Sequence, residues 1–172
     1  DKRITDEAID FVDNQFNITD HKSIVLYNET WHKGIIGIVA SRLTEKYYRP
    51  AVVLTKSGGL ISGSARSVNN FDVYKAIESC KDILENFGGH MYAAGLTLKE
   101  ENLDEFKRRF DEISFDEIEN RMMQPQITID AEIPLNEITS EFVQALSLFN
   151  PFGPENENPV FVTRGVLDAG GS

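Results

Sequence analysis

An internal disulfide is ruled out at the start, because Cys80 is the only cysteine in the chain. That scarcity points to a reducing compartment, and the apolar spacing around Cys80 marks it as a small core residue rather than a nucleophile. Histidine is nearly as scarce: His21, His32 and His90 are the only three. None has a partner at metal-ligand spacing, such as HxxxH or an adjacent Asp/His cluster. Two-metal phosphoryl chemistry needs several carboxylates and histidines converging around ions ~4 Å apart. The expectation is therefore that this chain binds no cofactor and carries no catalytic residue. Positive charge is in deficit too. With 17 Lys and Arg against 28 Asp and Glu, the formal net charge is −11, which argues against a general basic coat for nucleic acid. A polyanion would have to meet a focused cluster, and that contact would weaken with salt. No apolar run reaches the ~18 residues of a membrane helix, and the N-terminus lacks a signal-peptide layout. A soluble, cytoplasmic protein without a membrane partner is expected. The first residue is Asp1 rather than methionine, in a pattern already helical, and the last three are Gly170-Gly171-Ser172. The chain reads as a piece of something longer.

What is present is enough for one core and a small second unit. Of the 172 residues 41% are hydrophobic and 26% charged, so disorder is not the default. Apolar spacing predicts a helix over Thr5–Phe16, then a buried strand over Ser23–Tyr27. A helix over Gly34–Tyr48 follows, its interior Gly37 suited to close helix–sheet packing, and a second buried strand covers Ala51–Thr55. Strand, helix, strand at this spacing is a βαβ crossover with two parallel strands. Ser57-Gly58-Gly59 signals a hairpin, returning the chain as an antiparallel strand over Leu60–Ser67. Asp72 caps a helix expected to run to Phe87, Gly95–Lys99 is a strand, and Asn102 caps a further helix. The pattern breaks around Arg121–Pro125. Beyond it a strand is expected over Gln126–Ile133, a helix over Thr139–Phe149, a rigid turn at Asn150-Pro151-Phe152-Gly153-Pro154, and a strand from Pro159. The fold class is α/β, with a mixed, mostly parallel sheet flanked by helices, followed by a partial β-rich segment.

Two stretches carry chemistry. In the Leu60–Ser67 strand, alternation puts Ser62, Ser64 and Arg66 on one face and Ile61, Gly63 and Ala65 on the other. A row of two hydroxyls and a guanidinium suits phosphate; it also suits a solvated strand face. In Phe87-Gly88-Gly89-His90-Met91-Tyr92-Ala93-Ala94-Gly95, paired glycines at a helix end would bare backbone N–H groups as an anion nest, with His90 as an added donor. The same residues also read as a plain glycine cap before a buried histidine. His32 and Lys33, at a predicted helix start, either extend an anion site or simply cap and solvate the helix.

The segment Trp31-His32-Lys33-Gly34-Ile35-Ile36-Gly37-Ile38-Val39-Ala40-Ser41-Arg42-Leu43 resembles the signature of the RecJ single-stranded-DNA exonucleases. Gly63-Ser64-Ala65-Arg66-Ser67, the Phe87–Gly95 stretch and Asn150–Pro154 are similar to three further motifs of that family, in the same order. The glycine–histidine motif alone is shared with other DHH-type phosphoesterases and with the tail domain of alanyl-tRNA synthetase; the Trp31 and Pro151 segments narrow the resemblance to RecJ. It implies a connecting helix over 1–21, a DHH-associated substrate-binding domain over 22–122, and an incomplete oligonucleotide-binding (OB) type domain over 123–172. It further implies a separate DHH catalytic domain, touching this segment and holding divalent Mn or Mg. Ser64, Arg66, Ser67, Gly88, Gly89 and His90 would bind phosphates of single-stranded DNA during 5′-to-3′ digestion in DNA repair and recombination, with His32 and Lys33 as accessories. Two departures stand out: Ala65 where the family often has glycine, and Glu155-Asn156-Glu157-Asn158 in place of a glycine–asparagine run. Alternative functions are a DHH phosphodiesterase for oligoribonucleotides or cyclic dinucleotides, and a tRNA-contacting tail that catalyses nothing.

Overall fold

A computed structural model describes residues 2–125, 127–153 and 155–167, and the chain divides into compact units Asp1–Pro125 and Gln126–Ser172. In the first unit, helix α1 (Lys2–Gln15) leads to strand β1 (Ile24–Tyr27), helix α2 (Ile36–Tyr47) and strand β2 (Ala51–Ser57). Strand β3 (Leu60–Arg66), helix α3 (Val73–Glu78), strands β4 (Leu84–His90) and β5 (Ala93–Leu98), and helix α4 (Leu103–Glu117) complete it. The sheet order is β1-β2-β3-β5-β4. The crossover is as expected, with β1 parallel to β2 in the register Ile24↔Ala51. The hairpin is too: Ser57 pairs with Leu60, and Gly58 and Gly59 take φ of 62° and 80°, left-handed values that glycine adopts freely. The remaining pairings are antiparallel, so the α/β class and the flanking helices hold while the expected parallel majority is confined to β1–β2.

A second expectation fails. The helix predicted to reach Phe87 ends at Glu78, and the chain instead forms edge strand β4 through Leu84–His90. Val73, Ala76, Ile77 and Cys80 are buried as their spacing requires, and Ile83, Leu84 and Phe87 pack partly against the same core from a different backbone. Gly88 and Gly89 therefore do not cap a helix, and the anion nest drawn there does not form.

Each face of the sheet is covered. Ile24, Leu26, Ala51 and Val53 meet Ile4, Ala8 and Val12 of α1 and Ile36, Val39 and Leu43 of α2. Val52, Leu54, Ile61, Ala65 and Leu98 meet Val73 and Ile77 of α3 and Phe106 and Phe110 of α4. Ala65, fully buried and paired with Ala94, sits on this second face, so its extra methyl lies away from Ser64 and Arg66. Asn102 stands at the N-cap of α4 but makes no cap bond; its amide donates to the Ile83 carbonyl instead.

The second unit holds strand β6 (Ala131–Glu132), helix α5 (Ser140–Ser147) and strand β7 (Phe161–Val162), with β6 parallel to β7. The two strands are shorter than expected, and Gln126, Pro154 and 168–172 lie outside the described residues. Thr139 caps α5 by accepting the Phe142 amide. Of the face predicted to turn inward, Val143 and Phe149 remain exposed, while Phe142 meets Phe161 edge-on at 5.4 Å. In the departing run, the Asn156 amide donates to Phe149 and Pro151 carbonyls at 2.8 and 3.0 Å, so it holds the turn that the change of sequence put in question.

Candidate nucleic-acid interface

Registers across three strands decide which side chains share a face. Arg66 on β3 pairs with Ala93 on β5, which pairs with His90 on β4. Ser64 pairs with Gly95 and Gly95 with Gly88; Ser62 pairs with Thr97 and Thr97 with Asn86. Directly opposed residues point the same way, so three rows stack on one face: Arg66-Ala93-His90, Ser64-Gly95-Gly88 and Ser62-Thr97-Asn86. Two strand spacings separate Arg66 from His90 by ~10 Å. This is the face that α2 covers, and α2 stops over β3. A Cβ on Gly37 would lie 3.1 Å from Ser64 Oγ and 3.2 Å from Arg66 Nη2. Gly37 therefore lets the helix settle against the serine–arginine row, while Asn86, Gly88, His90 and Gly95 stay exposed.

The arginine is placed with spare capacity. Its Nη1 donates to Ser64 Oγ at 3.2 Å and to the Ala65 carbonyl at 2.8 Å. Among the described residues its Nε–H and Nη2 hydrogens have no acceptor, and no carboxylate pairs with it. That is unusual in this chain, where Arg3, Arg42, Arg108, Arg109 and Arg164 are all ion-paired. Arg49 instead spends its donors on the carbonyls of His21 and Tyr47. A half-buried guanidinium without a counter-charge is where a net-acidic molecule would still attract an anion.

Both nearby histidines are set by their own turns. His90 Nδ1 accepts the Tyr92 amide at 3.3 Å, and His32 Nδ1 accepts the Gly34 amide at 3.1 Å. An accepting Nδ1 leaves Nε2 as the protonated donor on each ring. The Met91-Tyr92 turn is pinned from outside, its carbonyls accepting the Val73 and Ser67 amides at 3.1 and 3.0 Å. The His32 segment hangs on buried Trp31, whose Nε1 donates to Glu7 at 3.1 Å and whose carbonyl accepts Thr55 Oγ1 at 2.6 Å. Lys33 then reaches a groove of about 380 Å³ that it lines with Asn86, Gly88, Gly95 and Thr97.

Of the six phosphate-binding candidates, Ser64, Arg66, Gly88 and His90 thus share one face. Ser67 and Gly89 do not join them. The Ser67 hydroxyl donates to the Phe71 carbonyl at 2.6 Å. Gly89 pairs with Ala94 on the opposite face, at φ 152°, and a Cβ there would meet the Ala93 carbonyl at 2.3 Å; its role is to let the hairpin close. Of the accessory pair, Lys33 lines the groove and His32 is exposed beside it. Asn86 and Thr97 escaped sequence reasoning. Thr97 lay in a recognised strand, but Asn86 sat in a stretch read as helix. Among the described residues no group of three or more His, Cys, Asp or Glu is placed to hold a metal ion, so the residues present do not fit a divalent-ion centre. No helix among the described residues is long and apolar enough to cross a membrane.

Residues 20–114 match the DHHA1 domain family and residues 129–169 the RecJ OB domain. The single-stranded-DNA-specific exonuclease RecJ of Bacillus subtilis is 37% identical over 169 residues, covering 96% of this chain and 21% of that protein. RecJ of Escherichia coli is 32% identical over 143 residues, 80% of this chain and 25% of its own. The crystal structure of Thermus thermophilus RecJ in complex with Mn2+ superposes with a TM-score of 0.76 at 26% identity, over 94% of this chain and 24% of that one. The chain therefore spans about a fifth to a quarter of the length of these relatives.

Proposed function

We propose, from the premise that the chain belongs to the DHHA1 domain family in the form found in RecJ proteins, that it is the substrate-holding part of a single-stranded-DNA exonuclease. The observation that carries this is the unpaired Arg66 guanidinium sharing an open sheet face with the Nε2–H of His90. Ser64 and Arg66 on β3, His90 at the end of β4 and the bare strand at Gly88 form a ledge for backbone phosphates, with Lys33 alongside. In this reading the ledge, His90 included, binds and orients the strand, and phosphodiester cleavage takes place elsewhere. That chemistry belongs to a DHH domain using Mn or Mg, as the metals in the RecJ crystal structures suggest, and contact with such a domain is part of the proposal. So are 5′-to-3′ polarity, work in DNA repair and recombination, and a cytoplasmic location.

The domain assignment follows the same reading: a connecting helix over 1–21, the DHHA1 domain over 22–122 and part of an OB-type domain over 123–172. RecJ likeness through both units favours this function over an oligoribonuclease, a cyclic-dinucleotide phosphodiesterase or a tRNA-contacting tail. The test is titration of a labelled single-stranded DNA at low salt. Arg66→Ala should weaken binding at least about tenfold and lower the slope of log K against log salt by ~0.7. An unchanged affinity and slope would overturn the assignment.

A further inference from the structure

The glycines of the site fall into two kinds. A Cβ at Gly63 would strike Leu54 Cδ2 at 2.5 Å, and one at Gly89 would strike backbone at 2.3 Å, so the fold itself demands glycine at both. Gly88 and Gly95 are different. A Cβ at Gly88 would meet nothing within 4 Å, the nearest atom to one at Gly95 is the Gly63 carbonyl at 3.8 Å, and neither has a positive φ. Glycine inside a strand weakens it by leaving nothing to pack, and where the backbone does not require it, its use is close approach by another molecule. These two are cross-strand partners on the face of Ser64, so together they cut a notch two strands wide into the sheet.

The notch has polar ends. On one side lie Arg66 and His90, on the other Thr97 and Asn86, with Lys33 lining the same groove. Lys33 has no acidic partner among the described residues. The Asn86 side chain is exposed, and neither Asn86 nor Thr97 makes a side-chain hydrogen bond within the described residues. A cation, an amide and a hydroxyl in one place repeat the donor chemistry of the first row. Rows 66 and 62 are four strand residues apart, or ~13 Å, about two backbone repeats of an extended single strand, a span suited to two phosphates with a third between them rather than to one.

We infer that Lys33, Asn86 and Thr97 form a second backbone-phosphate subsite, and that the Gly88–Gly95 notch seats the stretch of backbone between it and the Arg66–His90 ledge. The ligand is an oligonucleotide running along β5, held at two points with the backbone between them flush on the peptide planes. This rests on the reading of Arg66 and His90 as a phosphate ledge, and the test separates the two. The chain is titrated at low salt with labelled single strands carrying one, three and several phosphates, as wild type, Arg66→Ala, Gly95→Val and Lys33→Ala/Asn86→Ala. Gly95→Val should melt like wild type, since the added atoms have room, yet bind the longer strands about tenfold more weakly. Lys33→Ala/Asn86→Ala should lose a similar factor for strands of three or more phosphates and nothing for a single phosphate. If Arg66→Ala weakens binding while the other two variants bind all strands like wild type, the ledge stands and the second subsite is wrong. If Arg66→Ala also has no effect, both readings fall. Should Gly95→Val fail to fold, the account of its free space is wrong, and the length dependence of the double variant decides the subsite.

Discussion

One face of one sheet is built in two ways. Over β1 and β2 it is apolar and roofed: Ile24, Leu26, Ala51 and Val53 disappear under α1 and α2. Over β5 and β4 the same rows continue as Ala93, Gly95, Thr97, Asn86, Gly88 and His90, not roofed by α1 or α2 and mostly exposed. Strand β3 is the seam, where Gly37 brings α2 down onto Ser64 and Arg66. Pairing and pleat carry across unchanged; only the side chains and the cover differ. The covered half gains stability through apolar burial, while the uncovered half retains donors and empty space, which contribute little to folding and much to a ligand.

The largest effect should come from the roofed half. Leu43→Ala, removing a fully buried α2 side chain, is expected to cost about 2–5 kcal/mol in denaturant unfolding while leaving the affinity of the folded fraction for single strands unchanged. At the open half the pattern should invert: Arg66→Ala should cost about 1.5–3 kcal/mol of binding with a small change in unfolding midpoint. A variant that lost equal amounts of both would erase the distinction. The seam should show mixed behaviour. Gly37→Val puts atoms against Ser64 Oγ and Arg66 Nη2 and is expected to cost about 1–3 kcal/mol in stability, with weaker binding as the guanidinium is displaced.

The smallest effect lies away from this face. Hydrogen bonds from Arg108 and Arg109 hold the exposed Glu105 carboxyl down to about 2 from its usual 4.5. A depressed folded-state value means its stabilising contribution is present above about pH 4.5 and is lost as pH falls toward 2. Glu105→Gln should flatten that part of the acid-unfolding curve slightly and leave DNA binding at neutral pH untouched.

Much of the roofed half was legible because its signals were local. Ile35–Leu43 has helical spacing, Ala51–Thr55 is continuously apolar, and Ser57-Gly58-Gly59 names its hairpin. The alternation of Ser62, Ser64 and Arg66 was equally readable. Strand β4 was not. Ile83, Leu84 and Phe87 fit a helical stripe as well as a strand, and Gly88-Gly89 fits a helix end as well as an edge. What decides between them is pairing with β5, a tertiary contact that overrides weak local preference. The error cost the proposed nest and hid Asn86. It also ran Gly88 and Gly89 together, although only their alternation in a strand separates the one facing the groove from the one that closes the hairpin. In the second unit, Phe142, Val143, Leu146 and Phe149 carry a clear helical stripe, yet periodicity says nothing of whether a partner surface covers it.

The central claim is that a single strand lies on the open half of the face, and per-residue amide shifts during titration of the 15N-labelled chain with an oligodeoxynucleotide test it most directly. The account predicts shifts concentrated at Ser64, Arg66, Gly88, His90, Gly95 and Thr97, with Ile24–Tyr27 and the Gly58-Gly59 turn unmoved. Shifts confined to the β1 edge, where Asp111 of α4 meets the His21 ring at 2.9 Å and accepts the Ser23 hydroxyl at 3.1 Å, with the Gly88 and Gly95 amides unchanged at saturation, would contradict it.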